Sequence, residues 1–210
     1  IIPDLYGFGF CPRPLKGIYG KNSILNQLDI IIRELVKEES LSVIGASMGG
    51  AIAMELGRRY PGKIKKLLLL SPAGITGTPT SIPRPLDSLG ACFLGQKFIR
   101  KMLCKQAFAD PKNDVGPAEE QIASLHLLTP GWSRSLAAFA RSGGIAGCGQ
   151  PLPSQTIKVI WGENDRILNK KQKKESITIF GESNFEVINC CGHLPHIDQP
   201  ELVSKKWLNI

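Results

Sequence analysis

The chain has 210 residues, of which 42% are hydrophobic, 7% aromatic and 21% charged. That suffices for one good core with an inserted subdomain, and it excludes a disordered or collagen-like chain. The net charge of +8 is spread along the sequence, and the densest patch, Lys170, Lys171, Lys173 and Lys174, lacks interleaved aromatics, so it reads as a solvated helix face and no nucleic-acid partner is expected.

Ile1 to Leu5 reads as the end of a strand running into the loop Gly7-Phe8-Gly9, and Pro12, Pro14 and Gly17 keep the next stretch irregular. Residues 23–37 carry Ile24, Leu25, Leu28, Ile31, Ile32, Leu35 and Val36, the 3.6-residue period of an amphipathic helix. Leu41 to Gly45 is a short apolar strand, and Gly49 to Tyr60 a helix that stops at Pro61-Gly62. Ile64 to Leu70 is a second strand in this region, apolar on both faces, followed later by Ile157 to Trp161 and Phe185 to Ile188; Glu201 to Leu208 closes the chain as a helix. Apolar strands alternating with helices predict an α/β fold, a mostly parallel sheet with helices on both faces.

Between the strands at 64–70 and 157–161 the pattern is helical, around Phe93 to Phe108, Ala118 to Leu128 and Trp132 to Arg141. The expected organisation is a core of residues 1–74 and 156–210 with a helical cap insertion at 75–155. Ligands in open α/β sheets bind outside the carboxyl ends of the strands, so an insertion there covers the site. Its apolar residues Phe93, Leu94, Phe98, Met102, Leu103 and Trp132 are read mostly as core. Phe98, Met102 and Trp132 are retained as candidates for lining a substrate pocket.

No apolar run approaches the roughly 20 residues of a membrane span, and no secretory signal pattern is visible. The six cysteines show no C-x-x-C spacing, so neither a metal site nor a disulfide framework is expected. They read as mostly buried thiols of a cytoplasmic protein.

Gly45-Ala46-Ser47-Met48-Gly49 is G-x-S-x-G, placed directly after a strand and directly before a helix. The sharp turn is expected to require glycine at both flanking positions for steric reasons. The helix N-terminus then offers N–H groups and a dipole to developing negative charge. A serine hydroxyl needs a base. His126 falls mid-helix in the insertion and reads as a bystander. His193 follows the last strand at its carboxyl end and is favoured, with His196 the competitor beyond Pro195. The orienting acid is sought after the 157–161 strand, where Asp165 is favoured over Glu163.

The order Ser, acid, His is that of the α/β-hydrolases, and the chain resembles that family at four collinear places. These are Asp4-Leu5-Tyr6-Gly7-Phe8-Gly9, the elbow Gly45 to Gly50, Trp161-Gly162-Glu163-Asn164-Asp165, and Gly192-His193-Leu194-Pro195-His196-Ile197-Asp198-Gln199-Pro200, with Asp198 where Glu is usual. The resemblance implies Ser47 as nucleophile, Asp165 as acid, His193 as base and the Met48 N–H as an oxyanion donor. It implies no cofactor and no metal. The family's second oxyanion donor comes from an H-G motif that this sequence lacks, and the chain starts at the family's fourth strand. The expectation is therefore an N-terminally truncated chain with the first strands missing and an unpaired apolar edge at Ile1 to Leu5.

The expected activity is hydrolysis of a carboxylic ester of a small, largely apolar substrate through an acyl-enzyme. A serine disfavours the epoxide hydrolase and haloalkane dehalogenase branches, which use aspartate. Carbon–carbon bond hydrolases and cofactor-free peroxidases share the motifs, and a non-catalytic ligand receptor is the alternative from another class. The expected partner is a small-molecule substrate, without nucleic acid or a membrane span; the sequence leaves oligomeric state open.

Overall fold

Strands form where the sequence is apolar on both faces, because a parallel ladder is buried above and below. In a computed structural model, which describes residues 1–209, four strands, β1 (Leu41–Ala46), β2 (Ile64–Leu70), β3 (Thr156–Gly162) and β4 (Phe185–Ile188), lie in that order in one sheet. All three pairings are parallel: Val43 faces Leu67, Leu69 faces Val159 and Trp161 faces Val187. Leu68, Leu70 and Ile160 pack with Ile188, Cys191 and Val203 on one side of the sheet. Successive side chains alternate, so the fully buried Leu67, Leu69, Val159 and Trp161 project to the other side.

Ten helices are described: α1 (Lys21–Leu35), α2 (Met48–Arg59), α3 (Leu86–Gly95), α4 (Lys97–Ala107), α5 (Pro111–Asp114), α6 (Pro117–Ile122), α7 (Trp132–Arg141), α8 (Lys170–Phe180), α9 (Pro195–Asp198) and α10 (Pro200–Leu208). The helical insertion α3–α7 separates β2 from β3. The chain divides into two compact units that do not follow chain order.

One unit holds Glu38–Thr78, Lys105–Val115 and the chain from Ala146 onward. It contains the whole sheet. Helix α2 packs on β1 and β2, and α9 packs on β3. Arg58 of α2 reaches the carbonyls of Cys148 and Pro151, fastening the strand-returning segment to this helix.

The other unit holds Ile1–Lys37, Pro79–Cys104 and Gly116–Ile145. Its centre is Arg13, only 7% exposed. Its guanidinium donates to the carbonyls of Gly7, Gly9 and Cys11 and to Ser135 Oγ on α7. The Tyr6 and Tyr19 rings stack at 5.2 Å, and Phe8 meets Phe139 edge-on at 5.2 Å. Helices α3 and α7 pack together, and Asp87 pairs with Arg141 between them.

Three expectations are corrected. Ile1 to Leu5 is not a strand: among the described residues it has no ladder partner, and Ile1 and Ile2 are exposed. That edge of the sheet is instead β1, whose Ile44 is half-exposed; β4 forms the other edge. Of the insertion's large apolar residues read as core, Phe93, Phe98 and Met102 are exposed and Leu94, Leu103 and Trp132 are half-buried, while Ala91, Ile99, Cys104 and Phe108 take the buried positions. Of the cysteines, Cys104, Cys148 and Cys191 are buried, Cys11 is intermediate and Cys92 and Cys190 are exposed; all six are free thiols.

Candidate active site

Strand β1 ends at Ala46 and α2 begins at Met48, so Ser47 alone makes the turn, at φ 49° and ψ −122°. A non-glycine residue at positive φ is strained, and the surroundings hold it there. Ser47 N–H donates to the Leu70 carbonyl, while the Ser47 carbonyl accepts from Gly50 and Ala73, each at 2.9 Å. The elbow is thus tied to the end of the neighbouring strand. Met48 supplies the first N–H of α2, a donor for which an α-helix has no internal acceptor.

The two flanking glycines differ. A Cβ on Gly45 would lie 2.3 Å from the Gly49 carbonyl oxygen, and one on Gly50 would lie 2.4 Å from Pro72 Cβ. A Cβ on Gly49 would meet nothing within 4 Å. The steric expectation holds at Gly45 and fails at Gly49, because the turn brings Gly49's carbonyl rather than its Cα against the strand. Gly50 is the second crowded position.

His193 is buried at the end of the loop that follows β4. Its Nε2 lies 2.8 Å from Ser47 Oγ and its Nδ1 lies 2.9 Å from Asp165 Oδ2. Asp165 sits three residues past β3, and its Oδ1 accepts from the N–H groups of Ile167 and Leu168 at 2.8 and 3.0 Å. Burial alone raises the Asp165 pKa. The hydrogen bond from His193, that residue's charge and the Leu168 and Ile167 N–H groups outweigh burial and hold the carboxyl below its ordinary range. The three residues therefore form one continuous hydrogen-bonded chain from hydroxyl to imidazole to carboxylate.

The acid and base loops are laced together. Asn164 N–H donates to the Cys191 carbonyl and Glu163 N–H to that of Ile188, both at 2.8 Å. A Cβ on Gly162 would lie 1.9 Å from the Gly192 carbonyl oxygen, so this approach requires glycine. The competitors do not join the chain: Glu163 and His196 are exposed. His126 sits in a 3-10 turn, Leu125–Leu128, with its ring 5.9 Å from Trp132. Burial first, then the charges of Arg100 and Arg13, lower its pKa.

The three pocket candidates belong to the other compact unit. Phe98 and Met102 lie on α4 and are exposed, and Trp132 opens α7 and lines a cavity of about 630 Å³ with Arg84, Arg134 and Arg141. Sequence reasoning gave no role to the N–H groups of Ile167 and Leu168 or to the Ala107 carbonyl, which accepts from His193 N–H at 2.8 Å. Backbone groups carry no residue-type signal. Among the described residues no helix is long and apolar enough to cross a membrane.

The chain is 25% identical over 207 residues to a 2-hydroxymuconate semialdehyde hydrolase of Pseudomonas sp. (strain CF600), a match covering 94% of this chain and 71% of that protein. It is 24% identical over 205 residues to Lipase 3 of Moraxella sp. (strain TA144), covering 94% and 64%. The structure of a meta-cleavage product hydrolase from Pseudomonas fluorescens IP01 superposes with a TM-score of 0.76 at 20% identity, over 99% of this chain and 77% of that one, which establishes a shared fold. The model of the Alpha/beta hydrolase family matches residues 1–206, and with the serine elbow, the acid loop and the histidine loop in collinear order the chain belongs to that family.

Proposed function

We propose that the protein is a serine hydrolase that cleaves a carbon–carbon bond next to a carbonyl group, in a small acyclic product of aromatic ring cleavage. The observation that carries the catalytic part is the unbroken Ser47–His193–Asp165 hydrogen-bonded chain. The similarity to hydrolases of 2-hydroxymuconate semialdehyde and of meta-cleavage products supports the choice of bond.

Each residue has a definite task. His193 Nε2 takes the Ser47 proton as Oγ attacks the carbonyl carbon. Asp165 keeps the remaining imidazole proton on Nδ1 and stabilises the imidazolium that forms. The Met48 N–H and the positive end of α2 stabilise the oxyanion. Collapse expels the leaving carbon, which takes its proton from His193 and leaves an acyl group on Ser47. Water activated by the same imidazole releases the acid. A carbon leaving group departs only when its electron pair is delocalised, so the substrate must carry a conjugated carbonyl or enol on that side.

A carboxylic ester is the second reading, and the similarity to Lipase 3 favours it. The acylation chemistry is the same; only the leaving atom changes. One experiment separates them. Purified protein is given a 2-hydroxy-6-oxo-dienoate and a p-nitrophenyl ester in parallel, with Ser47→Ala as control. The expected result is faster loss of the dienoate chromophore than release of p-nitrophenol, both abolished in Ser47→Ala. Ester cleavage alone supports the second reading, and binding without turnover of either sinks both. A fluorophosphonate adduct mapped to Ser47 by mass spectrometry tests the nucleophile directly.

A further inference from the structure

Asp198 is six residues beyond Gly192, and the short helix α9 brings its carboxylate back under the loop that carries His193. Pro195 starts that helix, and the Asp198 and Ile197 N–H groups close it onto the Leu194 carbonyl at 3.0 and 2.8 Å. Asp198 Oδ2 then accepts two backbone N–H groups, from Gly192 at 2.6 Å and from Ala109 at 3.1 Å. The same two chain segments meet again one residue on, where His193 N–H donates to the Ala107 carbonyl at 2.8 Å. The fit leaves no room for a side chain: a Cβ on Gly192 would lie 2.5 Å from the Ala107 oxygen and 2.8 Å from the Ala109 nitrogen.

We infer that Asp198 is a positioning residue for His193: a single carboxylate oxygen clasps the N–H of Gly192, one residue before the base, to the 107–109 segment of the helical insertion. The inference rests on the proposal that His193 is the general base. The geometry favours positioning over simple reinforcement of the fold: the clasp closes on the N–H of Gly192, the residue immediately before His193, at 2.6 Å, so it fixes the backbone that bears the imidazole rather than a distant part of the loop.

Asp198 touches neither Ser47 nor Asp165 in any hydrogen bond, so its effect passes through the peptide. Displacing a general base by about 1 Å costs on the order of a hundredfold in rate. Asp198→Ala removes the acceptor from both N–H groups. Asp198→Asn keeps an oxygen that accepts both.

The test measures kcat and KM per fluorophosphonate-reactive site, together with the low-field NMR signal of the proton between His193 Nδ1 and Asp165. Asp198→Ala is expected to lower kcat by about ten- to a hundredfold with KM unchanged, and to broaden or shift that signal. Asp198→Asn is expected to stay within about threefold of the parent and to keep the signal. An Ala variant with parental kcat and signal overturns the inference, as does a folded Asn variant as slow as the Ala variant. If the Ala variant fails to fold, the Asn variant still decides, because loss of its low-field signal contradicts a clasp that its amide oxygen maintains. If the parent protein reacts with neither substrate nor probe, the hydrolase reading fails, while the NMR comparison still reports on the clasp.

Discussion

At the scale of single residues, the site depends on backbone that few side chains tolerate. Gly45 and Gly50 are crowded and Gly49 is not, which predicts an unequal outcome for the same substitution. Gly49→Ala is expected to keep Ser47 labelling and thermal stability near those of the parent. Gly45→Ala is expected to cost several kcal/mol, read as a lowered midpoint in urea, because backbone must move. The Asp165 carboxyl gives a pH prediction of definite sign. Its folded pKa lies below the ordinary 3.8, so it contributes stability above that value and loses it as pH falls through the depressed folded value. The stability gap between the parent and Asp165→Asn, measured by urea unfolding, is expected to be full at neutral pH and to close in acid below about 3.8. At neutral pH the same variant is expected to lose roughly a thousandfold or more in kcat, since the amide supports the wrong imidazole tautomer.

At the scale of elements, legibility followed burial. Strands β2 and β3 were readable from the continuously apolar, fully buried runs Leu67 to Leu70 and Val159 to Trp161. Helix α1 was readable from its period, with Ile24, Leu25, Leu28 and Ile32 all buried. Helix α3 was not, because Leu86, Leu89 and Phe93 on it are exposed and Pro83 and Pro85 precede it. Ile1 to Leu5 looked like a strand by the same apolar test that worked for β2, since composition reports burial propensity and not the presence of a ladder partner. Helix α8 showed in the sequence as the solvated face that carries the lysine patch, and its capping box went unread. Asn169 Oδ1 accepts from Gln172 N–H at 2.9 Å and Gln172 Oε1 accepts from Asn169 N–H at 3.0 Å. Asn169→Ala is expected to cost about 1 kcal/mol in unfolding free energy without changing kcat.

At the scale of the whole molecule, the convergence of Ser47, His193 and Asp165 was legible for a topological reason. Ser47, Asp165 and His193 each follow the end of a parallel strand, and such ends gather on one rim. What joined distant segments elsewhere was invisible: the bond from the Ala109 N–H to the Asp198 carboxylate spans 89 positions, and the side-chain bond from Arg13 to Ser135 spans 122. Arg13 spreads its donors over three carbonyls and one hydroxyl in a fork geometry that an ammonium does not reproduce. Arg13→Lys is expected to destabilise by about 2–4 kcal/mol, measured by chemical denaturation, despite the retained charge. The grouping of Lys105–Val115 with the sheet, although it lies within the helical insertion, bears on how such proteins are recombined. A chimera that exchanges everything between β2 and β3 for a foreign lid also discards the carbonyl of Ala107 and the amide of Ala109. Grafts that spare those eleven residues inherit a seated imidazole, whereas wholesale transplants must bring their own abutment for it.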